Sequence, residues 1–228
     1  MADEWGYTIK NTNNYQYDYE QIFNHINSFI GEYKIEDMIK IIGVDFGINL
    51  FDLFLLKKFI EENNITHMME LGAGSSSKFI DSLGIKRTSF ALDSVFYDLD
   101  YVKLNIKDDY EIVQEHIRKN DFDMFFIDND HSTEMAKLIC DKFLNLMDYS
   151  KPLFIHDWFD FNKTTYSEQV YYYNNMLDKY DVEYMTDLPD VFINSLKQKS
   201  NKIDNRILYH TAVHYVPRCS IILKPKNG

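Results

Sequence analysis

From residue 66 onward the chain alternates short apolar runs with amphipathic stretches, and this constrains its fold more than any other feature. His67–Leu71, Thr88–Asp93, Tyr101–Ile106, Asp123–Asp128 and Leu153–His156 read as strands. Ser75–Leu83, Asp108–Asn120 and Ser132–Met147 read as helices between them. Strands alternating with helices imply a parallel sheet with right-handed crossovers. Ligands bind such a sheet at the carboxyl ends of its strands, so function is sought at strand ends. Thr164–Tyr180 reads as a further helix, and Val182–Met185 with Ser220–Lys224 as a final strand pair.

The residues upstream are different in kind. A polar, Tyr- and Asn-rich arm over 1–17 precedes helical stretches at Tyr19–Tyr33, Ile35–Ile42 and Leu50–Asn63. The expected division is therefore 1–65 as cap or oligomer elements and 66–228 as the ligand-binding domain. Residues 187–218 form a connection too long for a passive tie in a compact domain, which points to a lid. The upstream helices are apolar enough to need a partner surface, which leaves a homodimer open.

A chain of 228 residues buries one full core, and it is short for two enzymatic domains. Carboxylates outnumber Lys plus Arg by 36 to 24, for a net charge of −12. A nucleic-acid partner is disfavoured, because gripping phosphates calls for a basic face. The longest apolar runs are strand-sized, so no span crosses a bilayer. The start, Met-Ala-Asp-Glu-Trp, has no secretory character. Only Cys140 and Cys219 occur, Cys140 on the apolar side of a helix, so no disulfide framework is needed and a cytoplasmic setting is expected. Richness in Asn, Ile, Lys and Tyr points to an AT-rich genome.

The first strand runs into Glu70-Leu71-Gly72-Ala73-Gly74-Ser75-Ser76-Ser77. Gly72 and Gly74 permit a tight turn and close approach by a ligand. Ser75 to Ser77 open a helix whose free N–H groups face that ligand. A Gly-x-Gly alone is weak, but a strand before it and a helix after it are what a nucleotide site requires. Asp93 follows roughly 20 residues later, where a carboxylate accepts hydrogen bonds from both ribose hydroxyls of an adenosine.

Glu-Leu-Gly-Ala-Gly-Ser-Ser-Ser resembles the first motif of class I S-adenosylmethionine methyltransferases, and Asp93 resembles their second, acidic motif. The similarity covers about residues 66–160. It implies a Rossmann-like α/β fold: a seven-stranded, mostly parallel sheet with helices on both faces and an antiparallel last strand. By the same resemblance Gly72 and Gly74 approach the methionine part of S-adenosylmethionine, and Glu70 acts from beneath the turn. Ser77 stands where a dinucleotide fingerprint has its third glycine, which argues against a nicotinamide-dependent dehydrogenase.

Strand four ends in Ile127-Asp128-Asn129-Asp130-His131-Ser132, and strand five in Ile155-His156-Asp157-Trp158. Neighbouring parallel strands bring Asp128 and Asp157 to one rim. Two carboxylates there repel unless a cation lies between them. Mg²⁺ suits oxygen ligands, and His156 beside Asp157 makes Mn²⁺ or Fe²⁺ acceptable as well. His131, with an imidazole near neutral pKa, suits a general base that takes a proton from an acceptor hydroxyl. Asp130 and Ser132 read as helix caps, and Trp158 either as a wall of the site or as core.

This double pattern resembles the methyltransferase-24 family and the macrocin-type sugar O-methyltransferases. The resemblance implies Asp128 and Asp157 as metal ligands and His131 as base. His156 stands where the sugar enzymes carry a glutamate, so the ligand number and the metal stay open. Their Pro-Gly-Gly before strand five is reduced to Lys151-Pro152-Leu153. The expected cofactor set is Glu70, Gly72, Gly74, Ser75, Asp93 and Asp128. His131 and Asp128 form the catalytic pair, and Asp128, His156 and Asp157 the metal set. The expected function is O-methylation of a small-molecule or sugar hydroxyl, assisted by Mg²⁺ or Mn²⁺. The alternatives are a metal-independent methyltransferase acting on an amine, a protein or an RNA cap, and a non-catalytic scaffold.

Overall fold

The computed structural model describes residues 50–94, 98–159, 171–172, 174–185 and 219–226. The expected arm, the two upstream helices, the lid segment 187–218 and most of the Thr164–Tyr180 helix lie outside them. In chain order the elements are α1 (Leu50–Glu62), β1 (His67–Leu71), α2 (Ser75–Ser82), β2 (Lys86–Ala91) and β3 (Val102–Lys103). Then come α3 (Tyr110–Lys119), β4 (Met124–Ile127), α4 (Thr133–Leu138), β5 (Leu153–Phe159), β6 (Tyr180–Met185) and β7 (Cys219–Pro225).

The strands form one sheet in the order β3-β2-β1-β4-β5-β7-β6. The first five pair in parallel, and β7 runs antiparallel to both β5 and β6. This is the mostly parallel sheet expected from the alternation, in the Rossmann-like arrangement that the resemblance implies. Strand order reverses between β1 and β4, and a crevice opens at such a switch point. Both the glycine turn and the Asp128–Ser132 loop leave the sheet there.

The period-two alternation of strands sorts the core onto two faces. Met69, Leu71, Phe125, Ile127, Leu153, Ile155, Ile221 and Leu223 share one face with Val113 and Ile117 of α3 and with Met135, Ala136 and Cys140 from α4 onward. On the other face Phe126 and Phe154 stack with ring centroids 4.8 Å apart. α1 lies over that second face, with Lys224 of β7 5.4 Å from the Phe59 ring. Its buried stripe is Leu53, Leu56, Phe59 and Ile60, together with the fully buried Asp52.

Several boundaries differ from the sequence reading. β2 ends at Ala91, where the exposed Leu92 leaves the sheet, so Asp93 lies in the loop beyond the strand. β3 is reduced to two residues, matched to Phe90 and Ala91. The amphipathic Ser132–Met147 stretch is one helical path that widens into a π-turn at Ile139–Leu144 and tightens into a 3₁₀ turn at Asn145–Met147. β5 continues three residues past His156, because β7 goes on pairing with it after β4 has ended.

Candidate active site at the carboxyl rim of the sheet

Register decides which residues meet. Leu71 is matched to Ile127 and Ile127 to Ile155, so the next residues, Gly72, Asp128 and His156, stand at one level on three adjacent strands. The Asp128 N–H donates to the Leu71 carbonyl at 2.9 Å, and the Gly72 N–H to the Phe90 carbonyl at 2.9 Å. Gly72 has φ +114°, and a Cβ there would lie 1.9 Å from the Asp128 carbonyl oxygen. Only glycine fits, because β4 passes directly behind the turn. A Cβ at Gly74 meets no atom within 4 Å, so the turn is open at that position.

Glu70 is fully buried beneath the turn. The Ser77 hydroxyl donates to its carboxylate at 2.8 Å while accepting the Gly74 N–H at 2.9 Å. Arg87 pairs with it at 3.2 Å, and Ser76 and Ser89 donate to it as well. Burial pushes the Glu70 carboxyl up to about 7 against the opposing pull of Arg87, Ser89 and Ser77. Arg87 reaches on to Asp81 at 2.7 Å and to the Asp100 carbonyl at 3.2 Å. This network braces the turn, α2 and the segment leading into β3. Arg87 and Ser89 went unnoticed in the sequence, although their alternation on β2 places both on the Glu70 side. Ser75 starts α2 with its side chain buried. Asp93 is exposed and accepts the Ser94 N–H at 2.9 Å.

The other half of the site is a cluster around His156. Its Nδ1 lies 3.2 Å from Asp128 Oδ1 and 3.2 Å from Asp157 Oδ1. Its Nε2 faces Asp52 Oδ2 at 3.9 Å. His131 Nε2 lies 3.4 Å from Asp157 Oδ2, with a quarter of its side chain exposed. Burial pulls the His156 ring toward its neutral form, but Asp128, Asp157 and Asp52 outweigh it and push it up to about 9. His131, Asp128, His156 and Asp157 are thus brought together.

A break in β5 makes this convergence possible. Successive strand residues point to opposite faces. Between Ile155 and Phe159, four steps along β5 are matched by only two along β7, from Ile221 to Cys219. Within that bulge Asp157 takes φ +53°, a left-handed conformation that non-glycine residues rarely adopt. Bulges re-aim side chains next to active sites, and backbone strain of this kind collects where function over-determines geometry. Here the bulge turns two consecutive side chains toward Asp128.

The donor set fits a divalent cation. One atom each from Asp128, His156 and Asp157 lies within 4.8 Å of the others, and His156 and Asp157 are buried. Two carboxylate oxygens and one imidazole nitrogen suit Mg²⁺ or Mn²⁺, with the nitrogen favouring the latter. Asp130 lies outside the cluster and pairs with Lys107. Ser132 caps α4 by accepting the Met135 N–H at 3.2 Å. Trp158 is core, fully buried and stacked on Tyr172 at 6.0 Å. Cys140 is core as well, its thiol pushed up to about 12 by burial.

No family model matches the chain, and no curated protein matches it. Solved structures do. A candidate caffeoyl-CoA O-methyltransferase from Staphylococcus aureus is 14% identical over 90% of this chain and 99% of its own, with a TM-score of 0.52. The MycE methyltransferase of the mycinamycin biosynthetic pathway, solved with Mg, SAH and mycinamycin VI, is 11% identical over 92% of this chain and 54% of its own, at 0.45. A Podospora anserina methyltransferase solved with SAH is 9% identical over 92% of this chain and 88% of its own, at 0.40. At such identities the likeness is one of architecture: the chain carries the Rossmann-like fold of class I methyltransferases.

Proposed function

We propose that this protein is an S-adenosylmethionine-dependent O-methyltransferase acting on a small-molecule or sugar hydroxyl, with Asp128, His156 and Asp157 holding a divalent ion. The observation that carries the reading is the meeting of His131, Asp128, His156 and Asp157 beside the glycine turn, at the switch point of the sheet. When bound, S-adenosylmethionine supplies the electrophilic methyl group, and the ion supplies charge that lowers the pKa of the acceptor hydroxyl.

The chain's own residues then have separate tasks. Asp93 accepts the ribose hydroxyls, and the open backbone at Gly74 admits the cofactor to the N-terminus of α2. Asp157 Oδ2, 3.4 Å from Nε2 of His131, keeps the ring proton on that nitrogen and so holds the ring in one tautomer. The lone pair on His131 Nδ1 is left to accept the hydroxyl proton as the methyl group is transferred. With both reactants held in line, orientation supplies most of the remaining catalysis.

A second reading, a metal-independent transferase, has one observation in its favour. Nδ1 of His156 is in hydrogen-bond geometry with Asp128 Oδ1 at 3.2 Å, which also suits an N–H donated to that carboxylate with no ion present. Calorimetry of S-adenosylmethionine and S-adenosylhomocysteine, with and without Mg²⁺ or Mn²⁺, tests the cofactor. Micromolar binding that Asp93→Ala abolishes is the expected result, and no binding under any condition overturns the proposal. An acceptor panel beginning with sugars, run in EDTA and with metal restored, then separates the two readings. Full activity in EDTA selects the metal-independent one.

A further inference from the structure

Among the described residues three carboxylates surround His156, and one of them comes from an unexpected place. Asp128 follows the end of β4 and Asp157 lies in the bulge of β5, whereas Asp52 belongs to the first turn of α1. Asp52 is fully buried, at 0% exposure, among the apolar residues that seat α1 on the sheet. A carboxylate is rarely found at such a depth without a partner that needs it. Its Oδ2 faces Nε2 of His156, on the opposite side of the ring from Asp128 and Asp157.

We propose that Asp52 is the positioning residue of the site: its carboxylate, 3.9 Å from Nε2 of His156, holds the ring's N–H on that side and so commits Nδ1 to the point where Asp128 and Asp157 converge. The inference rests on the reading of that point as a cation site. A neutral imidazole has one donor and one acceptor nitrogen, and its neighbours decide which is which. With a cation between Asp128 and Asp157, the Nδ1 lone pair turns to it, and the ring's one proton stays on Nε2, on the side of Asp52. Metal-binding histidines are oriented in this way by a carboxylate behind the ring, and losing that partner weakens metal affinity roughly 10- to 100-fold. The helix that carries Asp52 thereby becomes part of the site.

The test compares wild type with Asp52→Asn and Asp52→Leu, each checked by circular dichroism. Mn²⁺ affinity is measured from the EPR signal of the free ion. In parallel, the ring protons of His156 are followed by NMR in protein labelled with ¹⁵N-histidine and loaded with Mg²⁺. Mn²⁺ binding should weaken about tenfold or more in Asp52→Leu. It should weaken less in Asp52→Asn, whose amide oxygen still accepts the Nε2 proton. The slowly exchanging Nε2 proton should be retained in wild type and lost in Asp52→Leu. Equal Mn²⁺ affinity in all three proteins overturns the role of Asp52. If wild type takes up no Mn²⁺, the cation reading fails and the role of Asp52 in it falls with it, an outcome distinct from equal binding in all three proteins. Should Asp52→Leu not fold, the nearly isosteric Asp52→Asn decides on affinity alone: Mn²⁺ binding weaker than wild type supports the role of the Asp52 charge, and equal binding overturns it.

Discussion

Oδ1 of Asp157 lies 3.2 Å from Nδ1 of His156, its immediate neighbour in the chain, although neighbours on a strand ordinarily face opposite ways. The left-handed Asp157 backbone and the bulge around it are what bring the two atoms together. Asp157 in turn reaches His131, so one strained residue links the proposed cation site to the proposed base.

His131 should therefore matter to turnover and not to the cluster's hold on a cation. His131→Gln is expected to lower kcat by about 10²- to 10⁴-fold while leaving Mn²⁺ affinity within about twofold of wild type. The measurement pairs steady-state kinetics with EPR titration. Retained kcat would remove the base assignment.

The two glycines of the turn should fail in different ways. Gly72→Ala sets a Cβ against the Asp128 carbonyl in a backbone conformation that disfavours it, and should cost about 3 kcal/mol or more. Gly74→Ala meets no neighbour and should change stability by less than about 1 kcal/mol. If the cofactor approaches the turn there, S-adenosylmethionine binding should still weaken about tenfold. Thermal melts and calorimetry on both variants separate the two effects.

Ser77 relays the buried Glu70 to the Gly74 N–H. Ser77→Ala should cost about 1–3 kcal/mol, since it strips partners from a buried carboxyl and from the turn. Chemical denaturation measures this loss. A value near zero would mean that the Glu70 network does not brace the turn.

Glu70 should give the protein an inverted carboxylate signature. Its folded pKa lies near 7, above the ordinary value of 4.5, so the folded state binds this proton more tightly than the unfolded chain does. Stability from this group is then greatest below pH 4.5 and is lost as pH rises through about 7. Between those limits wild type should lose melting temperature relative to Glu70→Gln, which has no proton to release. Parallel pH dependences of the two melting temperatures would contradict the shift.

How much of this was legible in advance follows from the range of each interaction. Strand and helix identities, the glycine turn and the acidic strand ends depend on local periodicity and residue chemistry, and the sheet was readable from them. Asp52 carried one faint signal, a lone carboxylate on the apolar stripe it shares with Leu56 and Phe59. Nothing local said that His156 would be its partner, because α1 ends at Glu62 and β5 begins only at Leu153.

The sequence by itself determined the α/β class, the position of the turn and the residue types available at the rim. Only the tertiary structure decided which of those residues meet. The matched level of Gly72, Asp128 and His156 comes from inter-strand register, and the turning of Asp157 from a bulge that forms only when β7 pairs with β5. Register and bulges belong to pairs of strands, so no single stretch of sequence contains them.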